Sequence, residues 1–178
     1  RNMIREAAEF AERAHEGVYR KGTKIPYITH PMETAAIVTA FTNEPEMIAA
    51  ALLHDVIEDA GVTKEELEEK FGSRVAFLVE SESEDKSRSW MERKGTTVEH
   101  LKSATRDEKI LALADKLSNI RSTVRDYLVL GDEVWQRFNQ KDKEMQGWYY
   151  KGVAEALKEF KGHIYYEEYL MLCKKIFG

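Results

Sequence analysis

The chain has 178 residues, 43% of them hydrophobic and 33% charged, and its 27 basic against 32 acidic side chains leave a net charge of −5. That length fits one domain with a core that needs no disulfide, and the acidic balance excludes a broad nucleic-acid surface. No apolar run approaches the ~20 residues of a membrane span, and the single cysteine, Cys173, excludes a disulfide framework and a multi-cysteine metal site. The expected setting is a reducing one, the cytoplasm, with Cys173 as a packing residue of the last helix.

In chain order, Ile4, Ala7, Ala8, Phe10, Ala11 and Ala14 recur with a 3.6-residue period among charged residues, which predicts an amphipathic helix over 2–16. Gly17 ends it, and 18–29 reads as a loop carrying Arg20, Lys21 and Lys24 around Gly22. A second helix is expected after Pro31, over 32–41. A third begins near Pro45, a favoured first-turn residue, and runs from Met47 to Asp59 before Ala60-Gly61 stops it. Thr63-Lys64-Glu65-Glu66 fits the capping box of a fourth helix ending at Phe71. Gly72-Ser73 separates it from a fifth. The polar, serine-rich stretch 81–97 predicts a long, functional loop, docked through Trp90 and Met91. A wide apolar face predicts a long helix over 107–130, followed by two more in 140–160 and 163–177. No alternation of period two persists, so the expected fold is all-α, an irregular multi-helix bundle. It is expected to form a single domain, with 126–178 as a C-terminal helical extension.

The chemistry concentrates in Ala49-Ala50-Ala51-Leu52-Leu53-His54-Asp55-Val56-Ile57-Glu58-Asp59. Read as one helix, this places four ionisable side chains at its C-terminal end, with His54 over Glu58 and Asp55 over Asp59. Carboxylates there oppose the helix dipole, so three of them ask for a cation, most simply a divalent metal. His30, at a helix start after the basic loop, and Asp115, in an otherwise apolar turn, complete a ligand set. Two histidines and two aspartates suit Mn²⁺, Fe²⁺ or Zn²⁺ rather than Ca²⁺. Glu58 and Asp59 then stand beside the metal as groups able to move protons.

The order His30…His54-Asp55…Asp115 resembles the metal signature of the HD phosphohydrolase superfamily. Phe10-Ala11-Glu12-Arg13-Ala14-His15, Tyr19-Arg20-Lys21-Gly22, Pro26-Tyr27-Ile28-Thr29-His30-Pro31, Ala49 to Asp59, Thr63 to Gly72 and Leu113 to Arg121 look like a (p)ppGpp hydrolase domain of the RelA/SpoT type. Asp85-Lys86 and Glu92-Arg93-Lys94 resemble the stand-alone small alarmone hydrolases in particular. The resemblance implies an HD-domain bundle whose His30, His54, Asp55 and Asp115 hold one Mn²⁺. It implies that Glu58 and Asp59 activate water and handle protons, that Arg20 and Lys21 contact substrate phosphates, and that Asn119 lies near the ribose. The implied reaction removes the 3′-diphosphate of ppGpp or pppGpp as pyrophosphate. The partner is then a small nucleotide, with no nucleic acid and no membrane. Lys24 and Ile25 lengthen the loop after the basic pair, and 126–178 resembles nothing in the family core. No stretch looks like a synthetase or regulatory domain.

Two other functions stand beside this one: an HD-type phosphohydrolase for another nucleotide or dinucleotide phosphate, and a non-catalytic nucleotide sensor. The pairing of Glu58-Asp59 with Arg20-Lys21 favours a diphosphate. Trp135, Trp148 and the pairs Tyr149-Tyr150 and Tyr165-Tyr166 read as core and interface aromatics. His15, His100 and His163 read as surface or capping histidines, His15 being the one nearest the basic loop.

Overall fold

A computed structural model describes residues 1–178, and ten α-helices carry the chain. They are α1 (Met3–Ala14), α2 (Thr29–Val38), α3 (Pro45–Leu53), α4 (Val56–Ala60), α5 (Lys64–Phe71), α6 (Ser73–Ser81), α7 (Trp90–Ser103), α8 (Arg106–Leu130), α9 (Lys143–Ala156) and α10 (Ile164–Phe177). Short 3₁₀ turns follow α8 and α9. The architecture is all-α, with one isolated antiparallel bridge between Tyr19 and Pro26 in place of any strand.

Two compact units share the chain. The first comprises residues 1–85 and 105–115, the second residues 86–104 and 116–178, so α8 contributes to both. In the first unit α3 is the central element, packed by α1, α2 and α6. Every residue from Met47 to Leu53 is buried, which is what a helix apolar on all sides must do. Replacing a core side chain such as Leu53 by alanine should cost about 2–5 kcal/mol through transfer and cavity terms. Thr63 caps α5 as its sequence predicts, accepting the Glu66 N–H at 3.1 Å.

The second unit packs α9 against α7 and α10. A Cβ on Gly152 would meet Val98 at 3.3 Å, and one on Gly147 would meet the Phe177 ring at 3.1 Å, so glycine sets how closely these helices approach. Arg121 grips Glu168 through two hydrogen bonds of 2.5 and 2.7 Å. Trp135, Tyr149 and Tyr166 are buried, as their reading as core aromatics requires, and Tyr169 is buried with them, whereas Trp148 is 43% exposed. Cys173 packs in α10, where burial pushes its thiol up to about 12 and leaves it unreactive.

Three expectations fail. The stretch 81–97 is not one long loop: α7 begins at Trp90, because Ser89 and Glu92 form a capping box. Its serines and Gly95 imitate a loop, yet the first of the helix-starting signals lies inside them. Helix α2 begins at Thr29 rather than after Pro31, since a proline in the first turn lacks only an N–H that has no intrahelical partner. Most consequentially, 47–59 is not one helix. It breaks at His54-Asp55, and α4 starts afresh at Val56.

Candidate metal centre

The break has a local cause. In an unbroken helix the Ala51 carbonyl would take the Asp55 N–H; here it accepts the His54 ring Nδ1–H at 2.6 Å, with the His54 N–H at 3.5 Å. Asp55 then adopts φ −102°, ψ −3°, in the sparsely used bridge region, and precedes α4. Glu58 and Asp59 therefore occupy the first turn of a new helix rather than the end of an old one. The opposition to a helix dipole expected from one continuous helix is absent, because the chain places these carboxylates at an N-terminal end.

The same hydrogen bond decides the chemistry of the ring. A carbonyl only accepts, so Nδ1 of His54 carries a proton and Nε2 is the nitrogen with the free lone pair in the neutral imidazole. That atom points at three others. His54 Nε2 lies 3.1 Å from His30 Nε2, 3.2 Å from Asp115 Oδ1 and 3.1 Å from Asp55 Oδ2. His30 Nε2 lies 2.9 Å from Asp115 Oδ1 and 3.7 Å from Asp55 Oδ2. His30 and His54 are 1% exposed and Asp115 is 6% exposed. The start of α2, the α3–α4 break and the first half of α8 thus deliver four donor atoms to one buried point.

Two carboxylates there draw positive charge. Burial disfavours a protonated His54, yet Asp55 and Asp115 outweigh it and raise the imidazole well above its ordinary range. Burial likewise works against ionised Asp55, and His54 overcomes it, holding that carboxyl well below the usual carboxylate range. The donor chemistry fits a divalent metal: His30, His54 and Asp115 form one group able to hold an ion. A second such group, Asp55, Glu58 and Asp59, adjoins it. Glu58 accepts the Glu84 N–H at 3.1 Å, and burial first, then Asp59, raises its pKa. Asp59 is exposed.

The substrate-binding candidates are less gathered. Arg20 and Lys21 sit at the tip of a tight turn, tied by the Arg20 N–H to Ile25 O at 2.9 Å and the Tyr27 N–H to Val18 O at 2.8 Å. Gly22 turns the chain there with φ +71°. The expected loop is therefore a small hairpin that ends where α2 begins. Asn119 lies one turn beyond Asp115 along α8, in the second unit. Lys94, on α7 of that unit, stands with its Nζ 5.0 Å from the centre of the Tyr149 ring.

Two residues near the centre were not singled out as site residues by sequence. Tyr27 donates its hydroxyl to Asp55 Oδ2 at 2.5 Å, and its burial and the Asp55 charge raise its pKa, keeping it protonated. His15 caps the end of α1 but is not on the surface: it is 4% exposed, its ring lies 4.9 Å from that of Tyr27, and burial lowers its pKa. Their only sequence signal is position, Tyr27 standing one turn before His30.

An all-α unit that brings His30, His54-Asp55 and Asp115 together from separate helices has the arrangement of an HD-type phosphohydrolase. The chain belongs to the HD domain family, whose profile matches residues 7–141. Among its relatives, the proteins of Xenopus tropicalis and Homo sapiens named guanosine-3′,5′-bis(diphosphate) 3′-pyrophosphohydrolase MESH1 are each 36% identical over 163 residues, 90% of this chain and 86% of theirs. A solved structure described as a metazoan ortholog of SpoT that hydrolyzes ppGpp superposes with a TM-score of 0.82 at 25% identity, covering 98% of this chain and 96% of that one.

Proposed function

We propose that this protein is a metal-dependent guanosine-3′,5′-bis(diphosphate) 3′-pyrophosphohydrolase that releases pyrophosphate from ppGpp and pppGpp. The observation that carries the reading is the convergence of His30 Nε2, His54 Nε2, Asp55 Oδ2 and Asp115 Oδ1 beside Glu58 and Asp59. The names and activity of its relatives supply the substrate.

In this reading His30, His54, Asp55 and Asp115 hold one Mn²⁺, a choice suited to mixed imidazole and carboxylate donors. When bound, the ion supplies Lewis acidity, making water more acidic and drawing charge from a phosphoryl oxygen. The Glu58 and Asp59 carboxylates move the protons: one takes a proton from the attacking water, and the leaving oxygen needs one returned. The raised pKa of Glu58 brings it nearer to the operating pH of such a role. Arg20 offers a planar fork for a phosphate and Lys21 a point charge. Asn119 serves the ribose side. The whole chain acts as one HD-type domain, with 126–178 as its helical extension, in the cytoplasm, on a small nucleotide and without nucleic acid or membrane. No helix is long and apolar enough to cross a membrane.

Incubating the purified protein with Mn²⁺ and a nucleotide panel tests this directly. Release of pyrophosphate and GDP from ppGpp is the expected result. Hydrolysis confined to other nucleotide or dinucleotide phosphates would keep the phosphohydrolase and overturn the alarmone. Truncating Arg20 or Lys21 should raise KM for ppGpp and affect a simple monophosphate ester much less.

A further inference from the structure

The oxygen of Asp55 that faces both imidazoles is the same oxygen that accepts the Tyr27 hydroxyl. Oδ2 lies 3.1 Å from His54 Nε2 and 3.7 Å from His30 Nε2, and receives the Tyr27 O–H at 2.5 Å. The terminal torsion of an aspartate is soft and broad, so a carboxylate on a helix break has no intrinsic reason to present one oxygen rather than the other. The Tyr27 bond supplies the reason.

The tyrosine is itself held from two sides. Its ring meets His30 edge-on, with centroids 5.7 Å apart, and His15 at a tilt, with centroids 4.9 Å apart. His15 comes from the end of α1, where it is the C-cap residue, and its buried Nε2 has no hydrogen-bond partner.

We infer that Tyr27, wedged by His15, is a positioning residue that aims Asp55 Oδ2 at the point where the two imidazoles meet, and so sets the affinity of the metal centre. This rests on reading His30, His54, Asp55 and Asp115 as that centre. Partners behind a metal ligand fix its orientation, and their loss weakens metal affinity by about 10-fold to 100-fold. The role differs from that of Glu58 and Asp59, since Tyr27 moves no proton in the reaction and acts only through Asp55.

The test measures Mn²⁺ affinity by competition with a fluorescent chelator, in the full chain and without substrate. Tyr27→Phe keeps the ring and both ring contacts and removes only the hydroxyl. It should weaken Mn²⁺ binding by about 10-fold to 100-fold, with the circular-dichroism melt of the metal-free protein close to wild type. His15→Ala should weaken binding by a smaller factor, and should add nothing in the Tyr27→Phe background, because its effect passes through the hydroxyl. Unchanged affinity in Tyr27→Phe overturns the inference, and an equal loss from His15→Ala in both backgrounds overturns the part played by His15. Asp115→Ala is the control that separates the two readings. If it abolishes binding while Tyr27→Phe does not weaken it, only the positioning role falls. If Asp115→Ala binds Mn²⁺ as wild type does, the metal centre itself falls.

Discussion

The first unit holds two clusters of ionisable side chains gathered from distant parts of the chain, and they are built on opposite plans. Arg74 of α6 donates to both carboxylate oxygens of Glu44 at 2.8 and 3.1 Å and to Asp107 at 2.7 Å. The chain supplies the positive charge as a guanidinium, whose pKa the hydrogen bonds to Glu44 and Asp107 raise further. At the other cluster two carboxylates face two imidazoles, and their charge favours a proton on the His54 ring. A proton there and a metal compete for the same nitrogen, whereas nothing competes with Arg74. The first cluster is closed by the protein's own chemistry and the second is open to a cation from solution. Burial follows the same division: the side chains around Arg74 are 38% exposed, whereas those of His30 and His54 are 2% and 1% exposed.

The largest effect that would break this contrast is loss of the open cluster's metal. Asp115→Ala removes the oxygen that approaches both imidazoles, and should abolish turnover and bound Mn²⁺ together. Chelation should lower the melting temperature of the wild-type protein, since free metal at 100 times its Kd stabilises by about 2.7 kcal/mol. The melt of Asp115→Ala should ignore the chelator. A variant that keeps full metal content by atomic absorption would show that the cluster is closed like that of Arg74.

Next in size is the paired change Glu58→Gln with Asp59→Asn. Both amides keep shape and hydrogen-bonding capacity while removing the charge that accepts a proton. Turnover should fall by about 10²-fold, the scale of acid–base groups, with metal content unchanged. Loss of metal comparable to that in Asp115→Ala would make these residues ligands instead.

How much of this was legible before folding depends on whether a signal is local. The cap at Thr63 and the apolar face of α8 are local, and both form as the sequence predicts, α8 spanning Arg106–Leu130. The capping box at Ser89 is local too, but serines and Gly95 around it hide the start of α7. The identities of His30, His54, Asp55 and Asp115 stand out because polar groups interrupt apolar stretches. The break at His54-Asp55 does not stand out, because it depends on which carbonyl a histidine ring finds, and Ala49 to Leu53 gives no hint of an end. Tyr27 and His15 were hidden for a related reason. Neither disturbs a hydrophobic pattern, and their role exists only once α1, the hairpin and Asp55 are together.

A smaller effect sharpens the comparison from its structural side. Arg74→Gln should destabilise the protein by about 1 kcal/mol or less, since its partners are partly exposed and solvent screens such pairs. Turnover with saturating Mn²⁺ should match wild type. A large loss of activity at unchanged stability would mean that the two clusters are coupled rather than separate devices.

The smallest expected effect concerns the stability that Glu58 gives up. Burial first, and then the neighbouring Asp59, raises its pKa in the folded protein above that of the unfolded chain. In the pH window between those two values the folded state binds more protons, so stability falls as pH rises through it. At neutral pH, well above the unfolded-state value, this carboxyl is therefore a net cost to the metal-free protein. Glu58→Gln keeps an oxygen to accept the Glu84 N–H and removes the charge. In chelator at neutral pH its melting temperature should exceed that of wild type, and the difference should shrink as pH is lowered towards the unfolded-state value of about 4.3. Arg74→Gln should show no such gain at neutral pH, because there a pairing is lost. A neutral-pH melt of Glu58→Gln at or below wild type would mean that the fold tolerates this carboxylate without penalty, and that its raised proton affinity is not held in reserve for the reaction.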